Sequence, residues 1–568
     1  MKPAAGQLGL PRGHLQGAPA APAAATAPAA ATLQAADDRH RVLLALLAMA
    51  LVWTVSISFF YPSPPWDNVE ELFWAGSFEF GYYKHPPLPS WIMGVLVRLG
   101  GRAPWLTYAA GVACGVGALF IVWTWAREMV PPRRAALALV LGSLVTYHVQ
   151  RATIYNHNTV QLVWLAGYWW MLWRVLRPPQ SRSPSSSSRL RDWACLGGFA
   201  ALAFLTKYSA VVQFAVGAGF IVQQGLWRER QVRVGIAVAA AVALALLAPH
   251  FAWMLRHPDL SVAYALHSVH SKTPEVYSYR SLLHVVTQQV GRLGPMVLLA
   301  AGLWLTRAKG APPRGAARPA TPTGPTGPAT QASAFDRRFL AWATFGPVCA
   351  VLPLAALLQI TLLPSWLTTF YLSAALWAVV NLRGLDAEHW SRRRWRAVVA
   401  IAVVAHCAAA LGQGWVEGVW SRRLGYMTRA NLPAQDIARA LEGVWRSRVG
   451  GDAPLRLLVG DTWFAGAVAL KMDPSTELLI DGLERDSPWL PPGTLAREGG
   501  MVVILDNPDF LSEGPMLPPL LASADCGGAL DVPWTGPDAA HSARIRWGIV
   551  LPRGHAARGA VSCGAAPR

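Results

Sequence analysis

The chain has 568 residues, 53% of them hydrophobic and 14% charged, with a mean hydropathy of +0.30. A soluble chain of this length would carry more charge and divide into several cores, so the composition excludes an ordinary cytosolic protein and points to a polytopic membrane protein. The formal net charge of +19 invites a nucleic-acid partner, but the arginines fall mostly in short segments between apolar runs. That is how positive charge orients membrane spans, and we reject nucleic acid on that ground.

In chain order, residues 1–40 are rich in Ala, Pro and Gly and lack an apolar core segment, so they read as a disordered cytoplasmic tail rather than a signal peptide. Val42 to Tyr61 then forms an uncleaved signal anchor. Hydropathy predicts about eleven spans within a membrane domain over 41–413. They are 42–61, 105–126, 135–150, 159–176, 193–206, 209–227, 232–254, 282–306, 338–360, 366–382 and 396–413. The 27 Trp residues suit such a chain, because amphipathic rings favour the headgroup level.

The loops alternate in charge. Those around 127–134, 174–191, 228–233, 307–338 and 383–396 hold roughly three times as many Lys and Arg as the loops opposite, which makes them cytoplasmic. They can also touch anionic headgroups. The loops around Asp67, Asn156 and 256–280, together with the C-terminus, then lie outside. An odd number of spans with an inside N-terminus gives the same orientation. The expected location is a bacterial inner membrane, with a cytoplasmic N-terminus and a periplasmic C-terminal domain.

Two cytoplasmic stretches, 178–188 and 310–333, read as flexible connectors. From 414 to 568 the pattern becomes mixed, with strand-like runs at 455–459 and 501–505 and a helix at 434–444, which predicts a small α/β domain. The expected fold class is therefore an all-α polytopic membrane protein with a C-terminal soluble α/β domain. Among the six cysteines, Cys114, Cys195, Cys349 and Cys407 fall in apolar spans and read as buried thiols. Cys526 and Cys563 would form a disulfide if their region is extracytoplasmic. No cysteine spacing suggests a metal.

The chemistry concentrates in the first outer loop, at Trp66-Asp67-Asn68-Val69-Glu70-Glu71 and Gly81-Tyr82-Tyr83-Lys84-His85-Pro86-Pro87-Leu88. Ionisable groups beside lipid are costly and usually mark a working site. Asp67, Glu70 and Glu71 share one helical face at i, i+3 and i+4. The following Leu72, Phe73, Trp74 and Phe78 would lay that helix on the membrane surface, with Gly81 ending it. Pro86-Pro87 then holds Lys84-His85 on a stiff turn near the acids. A carboxylate can take the proton of an incoming hydroxyl, and a cation can stabilise a departing phosphate. The alternative is an interfacial helix with solvated acids and a snorkelling lysine.

His250, His267 and His270 lie near outer span ends, where a lone histidine is more often a satisfied interfacial residue. His267 and His270 are spaced to share a metal, but no third ligand follows, and no metal site is assigned. Arg256 and Arg280 suit either a phosphate or a lipid headgroup. Asp461 reads as a turn residue.

Asp67, with the later Lys84-His85-Pro86-Pro87-Leu88 and Trp91, resembles the signature of glycosyltransferase family 39 and its aminoarabinose-transferase-like relatives, which include the protein O-mannosyltransferases. Leu205-Thr206-Lys207-Tyr208-Ser209, Asn156-His157-Asn158-Thr159 and Pro249-His250-Phe251-Ala252-Trp253 look like matching segments, so the similarity runs in order over about residues 40 to 380. The resemblance implies a GT-C membrane fold and inverting transfer of a sugar from a polyprenyl-phosphate donor to a glycolipid, polysaccharide or protein acceptor. It implies that Asp67 is the catalytic base, with Glu70 and Glu71 beside it. Lys84, His85 and Lys207 would hold the donor phosphate. Tyr83, Asn156, His157, Asn158, Tyr208, His250, Arg256 and His267 would meet substrate. The family often has Asp-Glu where this chain has Asp67-Asn68, and many relatives carry an acid where this chain has Asn156 to Asn158. No cofactor is implied outright; a divalent metal is compatible with the family but not indicated by these residues. Two rival readings are a transporter and a catalytically silent membrane scaffold. The acids gather in one outer loop rather than at mid-membrane, which favours the enzyme.

Overall fold

The computed structural model describes residues 26–178, 186–258, 260, 264, 279–306, 332–382, 384–450, 453–510, 514–536 and 541–552. The chain divides into two units, Met1–Leu46 and Leu47–Arg568. In the first, helix α1 (Thr26–Phe60) begins at Thr26, well before the expected anchor, because the Ala-rich sequence there favours helix. Arg41 and Asp37 form an exposed i, i+4 pair. The expected tail before Thr26 lies outside the described residues, as do most of 178–188 and 310–333.

The second unit continues with α2 (Trp66–Trp74), α3 (Leu88–Gly100), α4 (Pro104–Arg127), α5 (Pro132–Ser143), α6 (His157–Leu176), α7 (Ser186–Thr206), α8 (Ala210–Gln223), α9 (Arg230–Arg256), α10 (Tyr279–Leu305), α11 (Ala334–Leu357), α12 (Ala374–Asn381) and α13 (Arg392–Trp415). Among the described residues, five helices are long and apolar enough to cross a membrane: Asp37–Phe60, Pro104–Arg127, Arg230–Arg256, Ala334–Leu357 and Arg392–Arg423. Proline begins α4 and α5, where its missing N–H costs nothing. Asn156 and Ser391 cap α6 and α13, and Ser333 with Asp336 forms a capping box on α11.

Two expected spans are interrupted. The run 135–150 is helical only to Ser143 and then turns into a short 3₁₀ segment, Arg151–Thr153. The polar groups of this stretch bond sideways: Thr146 N–H to the Arg292 carbonyl (3.0 Å) and Tyr147 Oη to the Pro364 carbonyl (2.6 Å). Gly111 and Gly115 of α4 make room for it. A Cβ at these positions would fall 2.0 Å from the Ala152 carbonyl oxygen and 1.9 Å from that of His148, so glycine is required. The run 366–382 likewise divides into a 3₁₀ segment, Pro364–Tyr371, and the short α12.

The C-terminal part holds α14 (Ala434–Val449), β1 (Leu457–Gly460), α15 (Phe464–Ala469), β2 (Glu477–Ile480), β3 (Gly500–Leu505), β4 (Cys526–Pro533) and β5 (Ser542–Val550). The sheet order is β2-β1-β3-β5-β4, parallel on the β1 side and antiparallel among β3, β5 and β4. The expected runs at 455–459 and 501–505 both contribute strands. Asp461 is a turn residue: its Oδ1 accepts from Trp463 and Phe464 N–H at 2.8 Å each.

The first-loop helix α2 does not lie on a membrane surface. Val69, Phe73 and Trp74 are buried in one core with Ile437, Leu441, Trp463 and Phe464, while Leu72 joins Met93, Leu106 and Tyr155 in another. The helix is a wedge between the sheet-bearing region and the helical region. Its apolar face therefore has protein to bury against, the stronger driving force for a short amphipathic helix. Of Leu72, Phe73, Trp74 and Phe78, the one exposed residue is Phe78, beyond the helix end.

The cysteine expectations divide. Cys114 and Cys407 are partly buried, but Cys195 and Cys349 are exposed on the surfaces of α7 and α11, where a thiol on an apolar helix face needs no polar partner. Cys526 is disulfide-bonded; Cys563, its expected partner, lies outside the described residues.

Candidate functional site: one cavity beneath the first-loop helix

Helix α2 begins after Pro64-Pro65, which places Asp67 in its first turn, where negative charge suits the helix dipole. Asn68 faces inward and pins the helix. Its Nδ2 donates to Thr107 Oγ1 (2.7 Å) and to the Thr153 carbonyl (3.1 Å), and its Oδ1 accepts from Tyr155 N–H (3.0 Å). The amide at 68 is thus a structural strut. Asp67, Glu70 and Glu71 face a cavity of 350 Å³ whose wall also includes Lys84, His85, Asn156, His157, Asn158, Lys207 and Tyr208.

The helix ends at Trp74, not at Gly81. Gly81 serves a different purpose: a Cβ there would sit 2.3 Å from the Trp253 ring, so the loop lies flat against α9. Gly81→Ala should cost about 1–3 kcal/mol by overpacking, read as a lowered unfolding temperature; an unchanged Tm would contradict this contact. The loop is closed by Tyr82 N–H donating to the His85 carbonyl (3.0 Å) and by the stacking of Tyr82 on Trp74 (4.8 Å).

The acids have three different environments. Asp67 Oδ2 accepts from Asn156 Nδ2 at 2.7 Å, and the same Asn156 caps α6 through its Oδ1. Glu70 pairs with Lys84 at 2.5 Å, both side chains largely buried. Burial works against the Lys84 charge, but the Glu70 carboxylate together with Tyr83 and Tyr264 outweighs it and holds the ammonium well above the usual lysine range. Glu71 is fully enclosed. Burial pushes its carboxyl well above the ordinary range and the neighbouring charges of Glu70 and Asp67 add to this, while the Ser90 hydroxyl, donating at 2.8 Å, pulls the other way. His157 Nδ1 lies 3.4 Å from the other Glu71 oxygen, and the His157 ring packs 4.0 Å from that of His85. Glu71 thus differs from Asp67 in being enclosed, with its carboxyl held well above the ordinary range.

On the opposite wall, Lys207 Nζ donates to Asn158 Oδ1 at 2.6 Å and lies 5.7 Å from the Trp366 ring centroid. Tyr208 lines the cavity, but His250 stands behind it. Its Nδ1–H donates to the Phe80 carbonyl (2.6 Å), which leaves Nε2 to accept from Tyr208 Oη–H (3.1 Å). His250 thus ties α9 to the first loop and holds Tyr208. Tyr83 lies beside the site, its ring centroid 5.0 Å from Lys84 Nζ. Arg256, at the end of α9, is exposed and outside the cavity wall. His267 and His270 lie outside the described residues. No group of three or more His, Cys, Asp or Glu among the described residues is arranged to hold a metal.

Several wall residues carried no signal in the sequence. Tyr264, Leu363, Ser365 and Trp366 complete the cavity together with Ser209, which follows Tyr208 in the matching segment. Leu363 and Ser365 fell in the short gap between the expected spans 338–360 and 366–382, and Trp366 at the first residue of the second. Asp486, from the sheet-bearing region, is buried and acts electrostatically on Lys84, Glu70 and Tyr83. Burial pushes its carboxyl up to about 6, against the pull of Arg485 and Lys84. The folded chain therefore retains a proton that the unfolded chain, with an ordinary value of 3.8, has released. Its contribution to stability is full below the unfolded value and is lost as pH rises through about 6. Between about pH 4 and pH 6 wild-type Tm should fall relative to Asp486→Asn; a gap of the opposite slope would contradict the buried environment.

The family described as dolichyl-phosphate-mannose-protein mannosyltransferase matches residues 84–253, which include Lys84, Asn156 to Asn158, Lys207 and His250 and begin after Asp67. The lipid A galacturonosyltransferase RgtD of Rhizobium johnstonii is 26% identical over 271 residues, 46% of this chain and 53% of that protein. The chain thus spans about half the length of the curated relative that it matches. Crystal structures of ArnT from Cupriavidus metallidurans, bound to undecaprenyl phosphate and in the apo state, superpose with TM-scores of 0.52 and 0.53. Each is 15% identical and covers 89% of this chain and 97% of ArnT. The chain thus has the fold of ArnT, and its residues 84–253 resemble the dolichyl-phosphate-mannose-protein mannosyltransferase family.

Proposed function

We propose that this protein moves a sugar from a polyprenyl-phosphate donor to an acceptor of the bacterial envelope, with inversion, at the outer face of the inner membrane. In this reading the chain crosses the membrane about eleven times, and the sheet-bearing region is periplasmic. The observation that carries the proposal is a single cavity whose wall combines the Asp67 carboxylate with the ammonium groups of Lys84 and Lys207.

The acceptor hydroxyl gives its proton to Asp67, whose orientation is held by Asn156. The acceptor oxygen bonds to the anomeric carbon as the bond from that carbon to the phosphate oxygen breaks, and the electron pair leaves with the polyprenyl phosphate. Lys84 and Lys207 stabilise the charge that develops there. The Glu70 partner fixes the Lys84 ammonium before any donor arrives, so no reorganisation is needed during the step. The relative RgtD acts on lipid A, which makes a glycolipid the acceptor of choice.

Mass spectrometry of envelope glycolipids from cells with and without the protein tests this. A sugar-sized mass increment present only with the protein is expected. Identical glycolipid, polysaccharide and protein glycosylation profiles in the two strains would contradict it.

A further inference from the structure

Helix α13 does not stop at Trp415. It runs on through an i→i+5 turn, Val416–Trp420, and a last helical turn, Ser421–Arg423, as one rod over Arg392–Arg423. That rod has 32 residues. It is about 48 Å long at about 1.5 Å per residue, against a hydrocarbon core of about 30 Å. It starts on Arg392, Arg393, Arg394 and Arg396. About 20 residues further on, the length that crosses the core, the chain reaches Trp415 and Val416. Its last turns therefore stand at the headgroup level.

The two sides of these turns differ. One side is held by protein. A Cβ at Gly414 would fall 2.7 Å from the Phe60 ring, and one at Gly418 would fall 2.0 Å from the Phe60 carbonyl oxygen, so the rod lies flush against the end of α1. The Tyr61 hydroxyl donates to the Glu417 carboxylate beside this contact. The other side is exposed: Trp415, Val416, Trp420, Leu424 and Tyr426 are each 40% exposed or more. The i→i+5 turn brings Trp415 and Trp420 together, with ring centroids 5.0 Å apart. The rod then ends on Gly425 (φ +81), whose N–H donates to the Arg422 carbonyl (3.2 Å) while Tyr426 N–H donates to that of Ser421 (2.9 Å). This cap fixes the exposed Arg422 and Arg423 directly beyond the Trp pair. Among the described residues, neither guanidinium enters an ion pair.

Indole rings suit the headgroup level, with an apolar body and an N–H to donate. Guanidinium groups suit phosphate through paired N–H donors. Arginine at this end of the rod also runs against the charge bias that orients the spans, so orientation does not account for it. An anionic headgroup supplies the missing counter-charge.

We propose that Trp415, Trp420, Arg422 and Arg423 form a docking site for the phosphate headgroup of an anionic phospholipid, in the leaflet that faces the sheet-bearing region. The site rests on the membrane orientation in the reading above and not on its transfer chemistry. The lipid tethers the neck that joins α13 to the sheet-bearing region.

The test titrates the full-length protein in detergent with dioleoylphosphatidylglycerol or dioleoylphosphatidylcholine, and native mass spectrometry reads bound lipid and oligomeric state together. The wild type should prefer phosphatidylglycerol. Arg422→Gln and Arg423→Gln should each lower affinity for that lipid about fivefold, and together roughly 25-fold, with little change for phosphatidylcholine. The double variant Arg422→Lys with Arg423→Lys, which keeps the charge without the paired donors, should fall between. Trp420→Ala should weaken both lipids, because the ring meets the boundary of chain and headgroup whatever the charge. No preference in the wild type, equal losses for both lipids in the arginine variants, or full binding in Trp420→Ala would overturn the site. So would a dimer that the arginine variants dissociate, because the exposed side would then belong to a second copy of the chain. If a Gln variant does not fold, the Lys double variant decides. Asp67→Asn should bind phosphatidylglycerol as the wild type does, so failure of this site and failure of the transfer reading are told apart.

Discussion

Asp67→Asn should reduce sugar transfer by roughly 10²- to 10⁴-fold, the range a positioned general base contributes, and leave the protein folded. The substitution keeps the shape of the side chain and a polar atom for Asn156, so the wall of the cavity survives. It also removes one of the negative charges that raise the Glu71 carboxyl. Stability should therefore be equal or slightly higher, which is the pattern of a residue retained for chemistry rather than for folding. The rate of transfer from a polyprenyl-phosphate sugar and the Tm of the same preparation are the two readouts. Near wild-type turnover in Asp67→Asn would remove Asp67 as the base. A collapse of Tm together with activity would make it a structural residue.

Lys84→Met should be the most destabilising single change in the first loop. It leaves Glu70 buried without its partner, and breaking a buried pair in this way costs about 3–5 kcal/mol. The double variant Lys84→Met with Glu70→Gln should recover most of that loss, because no uncompensated charge remains. It should not recover activity, because the ammonium facing the donor phosphate is still missing. The comparison separates the two roles of Lys84: single and double variants differ in Tm but agree in lacking transfer and in weakened binding of undecaprenyl phosphate. Wild-type turnover in the double variant would show that Lys84 serves only to neutralise Glu70.

Much of the site was legible because it is local. In a chain with so few charges, three acids at helical spacing followed by Lys84-His85 stand out, and the cavity brings all five together. Lys207, Asn156 and Asn158 were legible through the resemblance. What could not be read depends on distant residues. Whether α2 lies on lipid or inside protein is decided by Ile437, Trp463 and Phe464, and the amphipathic pattern is the same in both cases. The roles of Glu70 and Glu71 were not separable in sequence, because both are acids on one face. Only the position of Lys84 makes Glu70 a salt-bridge partner, and only the burial of Glu71 beside Ser90 and His157 pushes its carboxyl well above the ordinary range. His250 read as a substrate contact, but the carbonyl of Phe80 and the hydroxyl of Tyr208 occupy both its nitrogens. The two interrupted spans have enough apolar residues to cross a membrane. What breaks the first, 135–150, is the sideways bonding of Thr146 and Tyr147 and the glycines of α4, which hydropathy does not register.

The most direct test reconstitutes the purified protein in liposomes with an undecaprenyl-phosphate sugar labelled in the sugar and lipid A as acceptor, and identifies the labelled products by mass spectrometry. Covalent transfer of label to lipid A with release of undecaprenyl phosphate, abolished by Asp67→Asn, is the predicted result. Label that stays attached to the undecaprenyl carrier and only changes sides of the bilayer would contradict transfer chemistry and make the cavity a transport site.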